Sequence, residues 1–229
     1  MDILQQFISE HLEDDPLVLS LQSSLYPEID VRWAATLIAA RQKLKDKVPA
    51  WYADLRLMIP LSTVAEQCSS AFTAAYKQDL VNEADCVCDL TGGLGIDAAS
   101  FASIARKVIY IDCVADYCEA AKYNFETLGI SNIDIIYENA VELVSGDDPR
   151  IEEASVFYID PSRRDRFGRR LYAITDCEPD LTLLWERLRA KAPCVIAKLS
   201  PMLDISMVTS QLSAITEIHI LAVRNECKE

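Results

Sequence analysis

The sequence predicts an α/β fold, a parallel sheet with helices on both faces, preceded by an N-terminal helical region. Three observations predict it. From residue 85 onward, short apolar runs alternate with amphipathic segments, the pattern of successive strand–helix–strand units. A glycine loop within Cys86 to Asp97, CVCDLTGGLGID, joins one such run to a helix start. Polar residues recur where strands should end, at Asp89, Asp112, Asn139, Asp160 and Lys198. The carboxyl ends of parallel strands are where such sheets bind ligands.

Residues 1 to about 80 read as helical. Asp15-Pro16 is a helix start with proline at the first helical position. Tyr26-Pro27 breaks the pattern. A helix from about Ile29 to Lys45 then carries Trp33, Leu37, Ala40 and Leu44 at helical spacing. Its basic end (Arg41, Lys43, Lys45, Lys47) complements the helix dipole and is not read as a binding patch. Pro49 and Pro60 bracket a short segment with Trp51 and Tyr52. A third helix is expected from about Ser62 to Leu80, with Ser69, Ser70 and Thr73 leaving room for close packing on one face.

In the second half, strands are expected at 85–90, 107–112, 133–137, 155–160, 193–199 and 216–223, and helices at 96–105, 116–128, 178–190 and 203–213. Ala121, Phe125 and Leu128 give the 116–128 helix an apolar face, and Gly129 stands where a C-cap glycine belongs. Crossovers between such strands are right-handed. No internal repeat or low-complexity segment interrupts the pattern.

Composition narrows the function classes. With 229 residues and 51% hydrophobic content the chain can bury a sizeable core. Its net charge of −14 argues against broad, non-specific nucleic-acid binding, though not against a local basic patch. The eight cysteines are scattered without a CxxC pair, so reduced thiols are expected, with no metal site and no disulfide framework. With no secretory signal and no membrane-spanning run, the expectation is a soluble cytoplasmic protein. His11 and His219 have no motif around them.

The glycine loop bears on the ligand. Gly92, Gly93 and Gly95 allow a sharp turn and a close approach of backbone to ligand. Gly93-x-Gly95-x-x-Ala98 superficially matches a dinucleotide fingerprint. However, Asp89 before the loop and Asp97 in the first helical turn would repel a pyrophosphate. They suit a cationic head, and S-adenosylmethionine carries an ammonium and a sulfonium but no phosphate. Asp112, one strand–helix–strand step further on, is placed to accept hydrogen bonds from ribose hydroxyls.

At these residues the chain resembles the class I S-adenosylmethionine-dependent methyltransferases, whose first motif follows D-x-G-x-G-x-G. Here it reads Asp89-Leu90-Thr91-Gly92-Gly93-Leu94-Gly95, with Thr91 in place of the first glycine. The resemblance implies a Rossmann-like sheet with S-adenosylmethionine as cofactor. It also implies that Asn139 meets the adenine amino group, and that the helix before the first strand, with Gln67, Ser70 and Lys77, lies near the methionine end. Asp160-Pro161-Ser162-Arg163 resembles the (D/N)-P-P-(Y/F/W) motif, in which the first residue orients the attacking nitrogen of the acceptor. Ser162 and Arg163 depart from that motif, which places methylation of a base amine in question.

EQCSS, DLTGGLGID, IDPSRR and AKLSP together resemble a bacterial subgroup that carries a THUMP-like domain after the catalytic domain, and the resemblance covers nearly the whole chain. It implies an RNA substrate. The segment after Asp160 holds Arg163, Arg164, Arg166, Arg169 and Arg170, five of the chain's 22 basic residues, and reads as a phosphate clamp or as a loop paired with acidic neighbours. Lys198 could help hold an acceptor or a loop carboxylate. The expected organisation is a helical region over 1–80 and a methyltransferase domain over 81–229. Six of the seven strands of a class I sheet are countable, so the chain is expected to stop before or within the last. Three function classes stay open: an RNA methyltransferase, a small-molecule or protein methyltransferase, and a methyltransferase-like binding module.

Overall fold

The computed structural model describes residues 3–146, 148–162 and 174–229. Six helices come first: α1 (Ile3–Glu10), α2 (Pro16–Ser20), α3 (Val31–Gln42), α4 (Pro49–Ala53), α5 (Ser62–Gln67) and α6 (Ala71–Gln78). Strands and helices then alternate as β1 (Cys86–Asp89), α7 (Ile96–Ala102), β2 (Lys107–Asp112), α8 (Ala115–Leu128), β3 (Ile133–Tyr137), α9 (Ala140–Ser145), β4 (Val156–Ile159), α10 (Leu181–Lys191), β5 (Cys194–Ala197) and α11 (Ile205–Gln211). A short hairpin of β6 (Ala222–Val223) and β7 (Glu226–Cys227) follows.

Strands β1 to β5 form one parallel sheet in the order β3-β2-β1-β4-β5. Side chains alternate across a strand, and each face gathers its own core. Cys86, Cys88, Ile109, Ile111, Phe157 and Ile159 pack on one face with Leu181, Leu184, Trp185 and Leu188 of α10. Val87, Val108, Tyr110 and Tyr158 pack on the other with Phe101 of α7 and Phe125 of α8. The chain order reverses between β1 and β4, so their carboxyl ends flank the crevice in which such sheets bind ligands. The N-terminal helices reach this region directly. Leu44, Trp51, Val64 and Ala74 share a hydrophobic cluster with Leu94 of the glycine loop and Ile96 at the start of α7.

Asp15 caps α2 as its sequence suggests, accepting from the Leu17 amide at 2.8 Å. The basic run at the end of α3 serves its neighbours. Buried Arg41 donates to the carbonyl oxygens of Trp51, Tyr52, Asp54 and Leu57. Lys47 donates to the carbonyls of Glu66 and Cys68 at the end of α5, and Lys45 pairs with Glu13.

Three sequence expectations are corrected. The single helix from Ser62 to Leu80 is two, broken at Cys68-Ser69-Ser70, because the Ser70 hydroxyl accepts from the Thr73 amide (3.1 Å) and starts a new helix. Helix α9 was not expected; Asn139 caps it. Of the strand expected over 216–223, only Ala222–Val223 is formed, in the hairpin with Glu226–Cys227. Its turn residues Arg224 and Asn225 have φ of 53° and 64°, the left-handed pair that a tight hairpin needs. Among the described residues, β5 is the last strand of the sheet on that side, and no helix is long and apolar enough to cross a membrane. All eight cysteines are free.

Candidate active site

The glycine loop is shaped by β2 and α8. The Gly92 amide donates to the Ile111 carbonyl (2.9 Å), the Tyr110 hydroxyl donates to the Gly93 carbonyl (2.6 Å), and the Gly93 amide donates to the Asp112 carboxylate (2.8 Å). A Cβ on Gly92 would fall 2.1 Å from the Tyr110 ring, and one on Gly95 would fall 2.7 Å from the Phe125 ring. Gly95 also has φ 86° where it opens α7. Two of the three loop glycines are therefore demanded by the protein's own rings.

Thr91, which departs from the glycine pattern, crosses the switch point. Its amide donates to Asp89 (3.1 Å), and its hydroxyl oxygen accepts from the Asp160 amide (2.7 Å). It thus ties the end of β1 to the residue following β4. The Lys198 ammonium, just past β5, donates to the Asp160 carboxylate at 2.6 Å. Burial raises the Asp160 carboxyl above the usual aspartate range, with Lys198 opposing it. Burial would pull Lys198 down, but Asp160, Asp97 and Glu229 outweigh it and hold the ammonium above the ordinary lysine range. Asp160 keeps 28% of its side chain exposed and Lys198 13%, so neither is fully enclosed.

Asp97 turns inward. Its carboxylate accepts from the Ser69 hydroxyl (2.7 Å) and the Tyr158 hydroxyl (2.9 Å), and it lies 2.9 Å from the Lys77 ammonium. Oδ1 has no well-angled hydrogen bond, but the Lys77 charge at 2.9 Å compensates it. Burial alone would raise this carboxyl, yet Lys77 and Lys198 bring it below the usual range. Lys77 also donates to Ser69 (2.7 Å) and Tyr158 (3.2 Å) and meets Glu229 at 3.1 Å. Asp89 is fully buried, and burial, with Asp97 nearby, holds its carboxyl well above the ordinary range. Both acids expected to face a cationic head are therefore engaged within the protein. The sequence reading missed this network; its signal was the EQCSS segment, whose Ser69 reaches Asp97.

Asp112 stands at the end of β2, accepting from the amides of Gly93 and Val114 (2.8 and 2.9 Å), one on each oxygen. A carboxylate oxygen offers more than one acceptor direction, so each can take a further donor. Asn139 is exposed at the end of β3, and its side-chain oxygen accepts from the Val141 amide (2.8 Å). Ser70 caps α6, Gln67 is exposed at the end of α5, and Pro161 is buried. Arg163, Arg164, Arg166, Arg169 and Arg170 lie outside the described residues. On either side of that segment, Ser162 and Glu178 exchange backbone hydrogen bonds of 2.8 and 3.0 Å. Among the described residues, no group of three or more His, Cys, Asp or Glu is placed to hold a metal ion.

No family model matches the chain, and no curated protein does. A solved structure from Porphyromonas gingivalis W83, described as a candidate methyltransferase, matches with a TM-score of 0.78 and 33% identity over 98% of this chain. The match takes in 55% of that protein, so the present chain spans about half its length. Two further solved structures overlap with smaller parts of the chain. One is a precorrin 8w decarboxylase from Methanobacterium thermoautotrophicum (TM-score 0.43, 15% identity, 55% of this chain and 59% of that one). The other is a SAM-dependent methyltransferase from Agrobacterium tumefaciens (TM-score 0.39, 18% identity, 58% of this chain and 40% of that one). The first likeness takes in helical region and sheet together, so the chain shares the fold of that protein over nearly its whole length.

Proposed function

We propose that this protein transfers a methyl group from S-adenosylmethionine to RNA. The observation that carries the reading is the convergence of Thr91, Asp160 and Lys198 at the switch point between β1 and β4. The donor set suits this cofactor. Asp112 offers carboxylate oxygens for ribose hydroxyls. Asn139, already a helix cap, is assigned to the adenine edge through its exposed amide. Gln67 and Ser70 are assigned to the methionine end. S-adenosylmethionine supplies, when bound, a methyl group already activated on a sulfonium. The protein's task is then mainly positioning. Asp160 orients the acceptor, Lys198 fixes the Asp160 carboxylate, and Thr91 fixes its backbone. Asp89 and Asp97 support the loop from beneath.

The RNA assignment rests on Arg163, Arg164, Arg166, Arg169 and Arg170, a basic segment directly after Asp160-Pro161 in an acidic chain. A methyl group moves only a short distance, so the acceptor is held beside Asp160. Phosphate contacts would position the strand, and a target base would leave its stack to reach the site. RNA binding at two salt concentrations, paired with transfer of labelled methyl, tests this. Replacing Arg163, Arg166 and Arg169 together should weaken binding and flatten the salt dependence by about one phosphate per contacting arginine. Unchanged binding and transfer in the triple variant, or an acceptor that proves to be a small molecule or a protein, would overturn the RNA assignment.

A further inference from the structure

Two lysines from different elements converge on one carboxylate at the edge of the crevice. Lys77 of α6 lies 3.1 Å from Oε2 of Glu229, and Lys198 after β5 lies 3.8 Å from Oε1. The Glu229 side chain is only 9% exposed. It arrives on the β6–β7 hairpin, which is not part of the main sheet. The seat itself is built by other elements. Lys77 donates to Ser69 and Tyr158 and lies 2.9 Å from the Asp97 carboxylate, so its charge is already met on the protein side. Glu229 also accepts from it (3.3 Å to Oε1), but its departure leaves Lys77 with Ser69, Tyr158 and the Asp97 charge. Lys198 has one short hydrogen bond among the described residues, to Asp160, and an ammonium has two further protons to give. A third cation, Lys47, adds to this end by holding the Cys68 carbonyl at the α5–α6 junction (2.9 Å).

We infer that Lys77 and Lys198 form a carboxylate-binding subsite for the amino-acid end of S-adenosylmethionine, and that Glu229 occupies it as an internal stand-in. The inference rests on the cofactor reading above and deepens it. It commits the methionine carboxylate to the side of the crevice bounded by α6 and the end of β5. Glu229 then competes with the ligand and leaves the seat when the ligand enters. Asp97, held inside the network, tethers Lys77 and makes no contact with the ligand.

Calorimetry with S-adenosylmethionine and its decarboxylated analogue tests this on the unaltered protein. The analogue differs by the carboxylate alone, and it should bind about 10-fold or more weakly, the scale of a charged hydrogen bond lost from a partly buried site. Lys198→Met should shrink that discrimination to less than about threefold, and Glu229→Gln should tighten S-adenosylmethionine binding. Thermal unfolding establishes that each variant is folded. Lys77→Met is the less useful variant, because it leaves Asp97 buried without its cation. Equal binding of the two ligands, discrimination undiminished in Lys198→Met, or weaker S-adenosylmethionine binding in Glu229→Gln would overturn the subsite and leave the cofactor reading standing. Binding of neither ligand would overturn both.

Discussion

The Thr91 hydroxyl oxygen lies 2.7 Å from the backbone nitrogen of Asp160 and joins the first motif of the sheet to the fourth strand's end. A glycine at residue 91, as in the commoner form of the motif, would have no such acceptor. Thr91→Val keeps the shape and leaves the Asp160 amide unpaired. It should cost about 1–3 kcal/mol in denaturant unfolding and lower methyl transfer more than cofactor affinity. Thr91→Ser should recover most of both. Equal behaviour of Val and Ser at this position would mean that the bond does not matter.

Gly92 and Tyr110 should be energetically coupled. An added Cβ meets the ring at 2.1 Å, so Gly92→Ala alone should destabilise by about 1–3 kcal/mol through overpacking. In a Tyr110→Leu background the same change should cost much less. A double-mutant cycle on unfolding free energy measures the difference, and simple additivity would contradict the steric account.

Arg41 should be a stability residue with no part in ligand binding. It is 5% exposed and donates to four main-chain carbonyls between Trp51 and Leu57. Arg41→Met should cost about 3 kcal/mol or more, because several buried acceptors lose their donor at once. Arg41→Lys should recover only part of the loss, since one ammonium cannot reproduce the fork of the guanidinium. A loss below about 1 kcal/mol in Arg41→Met would contradict this role.

Asp89 should give the fold a distinct pH dependence. Burial, with Asp97 beside it, holds its carboxyl well above the ordinary range, so the folded protein keeps a proton that the unfolded chain releases. The stability from that proton is fully present below the unfolded value of about 3.9 and is lost as pH rises through the folded value. Asp89→Asn keeps an oxygen for the Thr91 amide and cannot ionise. The variant should therefore gain stability relative to the wild type as pH rises from about 4 to about 8, measured as a difference between denaturant curves. A difference that is flat or falls with pH would contradict it.

The sheet was legible in the sequence because buried parallel strands leave a strong mark. The expected strands 107–112 and 133–137 coincide with Lys107–Asp112 and Ile133–Tyr137. The misreadings were local competitions. Apolar spacing ran through Ser69-Ser70, but Ser70 spends its hydroxyl on a cap, and the helix breaks there. Asn139 drew attention as a strand-end residue, while Asn-Ala-Val-Glu is also a helix-start pattern, and the cap is formed. Ile218 and Ile220 alternate as a strand should, yet they stand exposed, because alternation signals a face and not a partner. Hardest to read were the inward turn of Asp97 and its pairing with Lys77. Their juxtaposition depends on how α6 packs on α7, which no spacing along the chain records.

Calorimetric titration with S-adenosylmethionine, on the wild type and on Asp112→Ala, measures whether the crevice beside the glycine loop binds this cofactor. Asp112 closes β2 beside the glycine loop and holds the Gly93 amide. The wild type should give a saturable binding isotherm, and Asp112→Ala, shown to be folded by thermal unfolding, should bind more weakly by about 1–3 kcal/mol. Tight binding of NAD with no response to S-adenosylmethionine would contradict this cofactor assignment.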